Sequence, residues 1–492
     1  MDLKHPELCL QDSFIGGEWV TSKSKQRFRI ITDPATGEVV ATCPQNDACD
    51  VPSAVVVAQA AFAVYSKLTP RVRAQRLLAW SQLIEEHRED LANLLTLETG
   101  KPLYEALAEI DYSKSFLWWF AGEAERIQGI TNVSSTPGRR IFTIKQPAGV
   151  SVALVPWNFP VAMAVRKAAT ALAAGCTMIV KPSSETPLST LAVAKLAQDA
   201  GFEAGVLNVL TTDLANTPAV SEALCKHPLV KKVTFTGSTR VGEIIARHCA
   251  GGIKKLTLGL GGNCPFIVFD DANLDHAVDA LMALKWRNAG QACISSNRVY
   301  IQRGVYDRFV HEFVGRTKAL RVGRGMDPAT KIGPLTVPQG ISKARLFVED
   351  ARARGAHIAC GGTDLPELGP FFFQPTVLTH VTEEMLVFKD ECFGPICPIA
   401  PFDCEEEVVQ LANNTSMGLA SYFFTKDVDR AWRLLENLES GMIGMNTGSI
   451  SAAESPFGGI KESGYGKESG PEVAINEYLV SKTSTLTIDG HF

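Results

Sequence analysis

An α/β protein built on two largely parallel sheets is what this sequence predicts, and three observations carry the prediction. From about 148 to 258, apolar β-branched runs alternate with stretches of helix length. Strands at that spacing indicate βαβ units feeding a parallel sheet. A second alternation runs from 265 to 455, and 492 residues leave room for about three units of roughly 150 residues each.

Taken in order, the first series reads GVSVALVP, the Ala-rich 161–174, TMIVKP, 188–201, VLNVL, 215–226, KKVTF, 239–250 and KKLTL. The second offers FIVF, RVYIQ, PTVL, ICPIAPF, ASYFF and GMIGMN as strands. Residues 127–145 place a Pro-Gly turn between two extended runs, which predicts a projecting hairpin. The stretch 477–488, EYLVSKTSTLTI, is a further extended run. Two such exposed elements need pairing partners, which predicts assembly by sheet extension into a homodimer or homotetramer.

Composition narrows the function classes. With 48 basic against 53 acidic residues and a net charge of -5, the chain carries no signature of a nucleic-acid partner. No run approaches the ~18 apolar residues of a membrane span. The first twenty residues hold Asp2, Glu7, Asp12 and Glu18 against Lys4, unlike a secretory or transit leader, so a cytoplasmic protein is expected. Twelve cysteines without a CxxC pair read as reduced thiols, and no metal site is expected.

One segment suggests a nucleotide. After KKVTF come Thr236, Gly237, Ser238, Thr239, Arg240, Val241 and Gly242, opening a helix whose free N–H groups suit a phosphate. An ordinary strand-turn-helix has the same look. Lys181, at a strand end, can reach ribose hydroxyls or a phosphate, or be a solvated lysine in a Pro-rich loop.

Seven ordered motifs then declare a resemblance: PWNFP (156–160), KPSSETP (181–187), FTGSTRVG (235–242), LGGNCPFIVFDDANLD (260–275), RNAGQAC (287–293), ECFGPI (391–396) and PFGGIKESGYG (456–466). Across nearly the whole chain they resemble the aldehyde dehydrogenase superfamily, and within it the succinate-semialdehyde dehydrogenase branch. The resemblance implies a Rossmann-type cofactor domain (1–125 and 147–258), an α/β catalytic domain (259–465) and a β oligomerisation element (126–146 and 466–492). It implies NADP or NAD as cofactor and a small aldehyde with a distal carboxylate as substrate.

Residue by residue, the resemblance makes Cys293 the nucleophile and Asn158 the oxyanion-hole amide, acting with the Cys293 backbone N–H. A cysteine suits the task because even a small thiolate fraction attacks carbonyls strongly. Glu391 and Phe393 match residues that hold the nicotinamide ribose and ring, and Pro156, Trp157, Gly237, Ser238 and Gly242 belong to the cofactor side. Ser184 stands where members that prefer NAD carry a ribose-binding glutamate, so with Lys181 nearby a 2'-phosphate is tolerated; Glu185 works against it. Arg166, Arg287 and Ser451 match a trio that grips a distal carboxylate, for which arginine's planar fork is suited.

The sequence departs from the family at Gly259, where the branch has the glutamate that acts as general base toward the thiol and the deacylating water. Losing such a base costs roughly 10²- to 10⁴-fold in rate. Three outcomes stay open: slow hydrolysis through Glu468, a second acidic position of the superfamily that relays protons; transfer of the acyl group to or from another thiol or amine, including thioester reduction; or a non-catalytic binding protein. Ser295 replaces a second cysteine found in some relatives, so a disulfide switch with Cys293 is not expected.

Overall fold

The computed structural model describes residues 3–30 and 33–488; the remaining positions of the expected segments, 1–2, 31–32 and 489–492, lie outside it. The first alternating series forms the centre of an eight-stranded sheet. Its five parallel strands stand in the spatial order Leu207–Val209, Thr177–Lys181, Val150–Leu154, Val230–Thr236, Lys255–Gly259. Numbered along the chain from Val150, that is the doubly wound order 3-2-1-4-5. The order reverses between Val150–Leu154 and Val230–Thr236, and ligands bind doubly wound sheets at such a point, beyond the carboxyl ends of the strands.

The local chemistry explains these elements. Val150–Leu154 and Thr177–Lys181 are buried at every residue, so they read as continuous apolar runs without alternation. The helix between them, Pro160–Ala174, has proline at its start, Gly175 in the left-handed region at its end, and all fifteen residues buried. Its alanines let it lie close to the sheet on one side and to the helix Leu103–Ala124 on the other.

The second series forms a seven-stranded sheet in the order His357–Cys360, Thr376–Thr379, Ile396–Phe402, Ser296–Gln302, Cys264–Val268, Ala420–Phe424, Met442–Met445. Only its first pair is antiparallel. All six strands expected between 265 and 455 are present, together with His357–Cys360, whose half-exposed residues gave no apolar run to read.

The hairpin expected at 127–145 forms from Thr131–Val133 and Arg139–Pro147. The hairpin and the C-terminal run, each expected to need a pairing partner, pair with each other. Leu479–Thr487 pairs antiparallel with Arg139–Pro147 over nine residues, Leu479 opposite Pro147 and Thr487 opposite Arg139. Each run thus satisfies one edge of the other within the chain, and among the described residues the outer edges of this three-stranded sheet are unpaired.

One short pairing positions the site. Gly464–Tyr465 adds to the first sheet beside Lys255–Gly259, with Gly464 opposite Gly259. Gly464 has φ 105°, and a Cβ there would lie 2.0 Å from the Leu258 carbonyl oxygen, so only glycine fits. The chain then turns inward and delivers Glu468 behind Gly259. Among the described residues, no helix is long and apolar enough to cross a membrane.

Candidate active site

A cavity of about 320 Å³ lies at the carboxyl ends of the central strands. Pro156, Trp157, Asn158, Arg166, Gly237, Ser238, Gly259, Arg287, Cys293, Glu391, Phe393 and Ser451 all line it. Twelve positions singled out in the sequence therefore converge on one space. Lys181, Ser184, Gly242 and Glu468 stand outside its wall.

Cys293 follows a strained turn. Asn288, Ala289 and Gly290 have φ of 50°, 52° and 76° in succession, and left-handed backbone at a non-glycine residue costs about 1–3 kcal/mol. The surroundings hold the turn in place. The Asn288 N–H donates to the Glu105 carboxylate at 2.9 Å, and its side-chain amide donates to the Asn158 carbonyl at 3.1 Å. Asn158 in turn donates from Nδ2 to the Gln291 carbonyl at 3.0 Å, using one of its two amide hydrogens. The loops carrying nucleophile and amide are thus tied to each other.

Two buried charges brace that tie. Lys101 Nζ donates to the Asn158 carbonyl at 2.8 Å and pairs with Glu109 at 2.5 Å, both side chains fully buried. The other Glu109 oxygen accepts the N–H groups of Val161 and Ala162 at 3.1 Å, at the N-terminus of the helix that follows Asn158. These residues escaped the sequence analysis. The signal for them was Glu105 and Glu109, four apart and so on one face of a helix, just after a lysine that follows Gly100.

The Cys293 sulfur is half-buried, and burial pushes its thiol up to about 12; the Glu391 charge adds to this and Arg166 opposes it. Glu391 accepts the Gly262 N–H at 3.1 Å, and burial still raises its carboxyl to about 7. Phe393, left-handed at φ 52°, sets its ring edge-on to Trp157 with centroids 5.4 Å apart.

Glu468 lies directly behind Gly259. A Cβ built on Gly259 would meet Glu468 Oε1 and Thr236 Oγ1, each at 3.3 Å, tighter than most side-chain contacts. The Glu468 carboxylate pairs with Lys167 through Oε1 and with Arg166 Nη2 through Oε2, the latter at 2.5 Å, and accepts the Thr236 hydroxyl at 3.0 Å. Burial alone would raise this carboxyl, but Lys167 and Arg166 outweigh it and hold it at about 2. Lys167, adjacent to Arg166 on the same helix, is a further residue that the sequence did not single out.

The trio expected to grip a distal carboxylate is present but differently engaged. Arg166 is spent at Nη2 on Glu468, while its Nε and Nη1 are buried with no hydrogen-bond partner among the described residues. Ser451 shares a hydrogen bond with the Tyr112 hydroxyl, and the Arg287 guanidinium stacks 4.7 Å from the Phe159 ring centre.

On the nucleotide side, Ser238 caps the helix Thr239–Ala250 with extended backbone, leaving the N–H groups of its first turn free of intrahelical partners. Gly237 donates its own N–H to the Gly259 carbonyl at 3.1 Å. At Gly242 a Cβ would lie 2.5 Å from Leu260, so the missing side chain also lets the helix pack on the strand end. Lys181 is buried at the end of its strand, and burial pushes its ammonium down to about 8 despite the charges of Glu185 and Asp213. An open helix N-terminus at the switch point, a carboxyl near neutrality and an aromatic pair suit a nicotinamide dinucleotide.

Comparison with known proteins agrees with this geometry. Residues 19–484 match the aldehyde dehydrogenase family. The chain is 45% identical over 482 residues to 3-sulfolactaldehyde dehydrogenase of Pseudomonas putida, covering 98% of each chain. It is 46% identical to a succinate-semialdehyde dehydrogenase [NADP(+)] of Saccharomyces cerevisiae, over 98% of this chain and 97% of that one. The crystal structure of an aldehyde dehydrogenase from Brucella melitensis biovar abortus 2308 superposes with a TM-score of 0.97 at 44% identity, covering 100% of both chains. With its motifs, sheet order and cavity all in agreement, the chain belongs to the aldehyde dehydrogenase family.

Proposed function

We propose that this protein oxidises a short aldehyde bearing a distal anion, succinate semialdehyde or a close analogue, with NADP or NAD as acceptor, through a thioester on Cys293. The observation that carries the reading is the convergence of Cys293, Asn158, Arg166, Arg287 and Ser451 on one cavity. Two relatives of this chain carry names of aldehydes with a carboxylate or sulfonate at the far end. Lys181 near Ser184 favours acceptance of a 2'-phosphate. Free thiols throughout the chain suit a cytoplasmic setting. Assembly into a dimer or tetramer through the open edges of the three-stranded sheet belongs to the same reading, and sedimentation analysis tests it.

In this reading Cys293 Sγ forms a bond to the aldehyde carbon, and the resulting oxyanion is held by Asn158 Nδ2 and the Cys293 N–H. The nicotinamide nucleotide, when bound, takes up the hydride. Deacylation is the slow step, because Gly259 supplies no base and a carboxylate held at about 2 is a weak one. Release to water is favoured over release to a larger nucleophile, since Glu468 crowds the volume beside Gly259.

The test is a progress curve with succinate semialdehyde, run with NADP or NAD and with or without coenzyme A. A burst of reduced cofactor followed by a slow steady rate, unchanged by coenzyme A, is expected. A fast linear curve refutes slow deacylation; absence of any cofactor reduction refutes the whole reading.

A further inference from the structure

Arg166 faces two ways. It lines the cavity where a substrate's far end would lie, and it pairs with Glu468, which stands outside the cavity behind Gly259. Its Nη2 is committed to Glu468 Oε2 while Nε and Nη1, both buried, have no partner among the described residues. Both donors are shielded from solvent as the side chain stands, so an anion in the cavity engages this guanidinium by turning it from Glu468, and the two unpaired donors lower the cost of that turn. An anion in the cavity and the Glu468 carboxylate therefore compete for one guanidinium.

We infer that the distal anion of the substrate activates deacylation: by drawing Arg166 away from Glu468, it frees that carboxylate to take a proton from the attacking water. The inference rests on the thioester reading above and adds a specificity device to it. The groups facing Glu468 are Lys167, Arg166 and the Thr236 hydroxyl, with the Cys293 thiol and the Tyr478 phenol within range of its charge. Of the two cations, only Arg166 lines the cavity. Lys167 is bound to Thr234 and Thr236 on the sheet and stays with Glu468 throughout.

The step balances. Water oxygen bonds to the thioester carbon, one water proton moves to the Glu468 carboxylate, and collapse of the tetrahedral adduct breaks the C–S bond. The products are the carboxylic acid and the Cys293 thiolate, and the thiolate is reprotonated as the Glu468 proton returns. With both cations in place Glu468 is too weak a base for this; losing Arg166 moves it back toward the ordinary carboxylate range. An acyl group with a distal anion thus supplies the change that its own release requires, and a neutral acyl group does not.

The test needs no cofactor. The full-length protein is acylated at Cys293 with the mono-p-nitrophenyl ester of succinate or with p-nitrophenyl pentanoate, and decay of each acyl-enzyme is followed by intact mass. Succinyl-Cys293 is expected to decay at least about tenfold faster near neutral pH, with the acid limb of its decay at higher pH than that of pentanoyl-Cys293. In Arg166→Met, decay of the pentanoyl enzyme is expected to rise toward the succinyl rate, which a purely substrate-gripping arginine would not produce. Equal decay of the two acyl groups in the unaltered protein overturns the inference, as does unchanged pentanoyl decay in a folded Arg166→Met. If neither ester loads Cys293 and succinate semialdehyde gives no burst, the thioester reading itself has failed.

Discussion

Glu468 Oε1 lies 3.3 Å from the point where a side chain on Gly259 would begin. No open hole lies beside the glycine, for a carboxylate from a distant part of the chain stands there, locked between Arg166 and Lys167.

Placing a carboxylate at Gly259 should therefore have a mixed outcome. In Gly259→Glu the first side-chain atom crowds Glu468, at a cost of about 1–3 kcal/mol. Two carboxylates sharing one space raise the proton affinity of one of them, which moves it toward a useful base. The rate after the burst should rise by roughly 10²- to 10⁴-fold, with an acid limb that moves to lower pH when Glu468→Gln is added. Stopped-flow progress curves from about pH 5 to 9 check this; no gain in a folded Gly259→Glu would mean that deacylation is already served by another group.

The same ion cluster should govern acid stability. Glu468 is held at about 2 against an ordinary 4.5, so its pairing contributes stability that is fully present above pH 4.5 and is lost as the pH falls toward 2. Urea unfolding across that window should show stability falling with pH, and a shallower slope in Glu468→Gln. That variant should also be destabilised at neutral pH by about 3–5 kcal/mol, because Arg166 and Lys167 are left buried without their counter-charge. Identical slopes in the two proteins would contradict the assignment.

A thiol pushed up to about 12 should be sluggish toward alkylation in the free protein. Iodoacetamide labelling of Cys293 at neutral pH is expected to run well below the rate of an ordinary exposed cysteine. In Glu391→Gln it should quicken several-fold, since that carboxylate's charge is the next largest contribution after burial. Labelling at the ordinary rate in the unaltered protein would show that the sulfur is activated without any ligand.

The sequence was most informative where chemistry and periodicity coincide. The βαβ alternation made the central strands readable, two of them buried at every residue and so continuous apolar runs, and the seven motifs contained nine of the cavity-lining positions, with Arg166, Gly259 and Ser451 added by the wider resemblance. What stayed hidden depends on long-range placement. Nothing local announces that Lys101 reaches Asn158, that Glu468 crosses to Gly259, or that Leu479–Thr487 pairs with Arg139–Pro147 in its own chain. Nor does the sequence announce that Gly242 packs against Leu260, where a Cβ would lie 2.5 Å away.

Lys101 gives the sharpest separation of positioning from chemistry. Its ammonium is fully buried, pairs with Glu109 and holds the carbonyl of Asn158, the residue whose amide supports the oxyanion. Lys101→Met leaves the Glu109 carboxylate buried with only two backbone N–H donors, so a loss of about 3–5 kcal/mol is expected. Adding Glu109→Gln removes the orphan charge and should recover most of that stability, yet it cannot restore the hold on Asn158. If the lysine positions the amide, the burst rate in the double variant should remain depressed by about 10- to 100-fold with KM for the aldehyde little changed, since oxyanion support acts in the transition state. Thermal unfolding together with rapid-quench kinetics decides the matter, and a double variant that regains stability and burst rate in step would assign Lys101 to the fold alone.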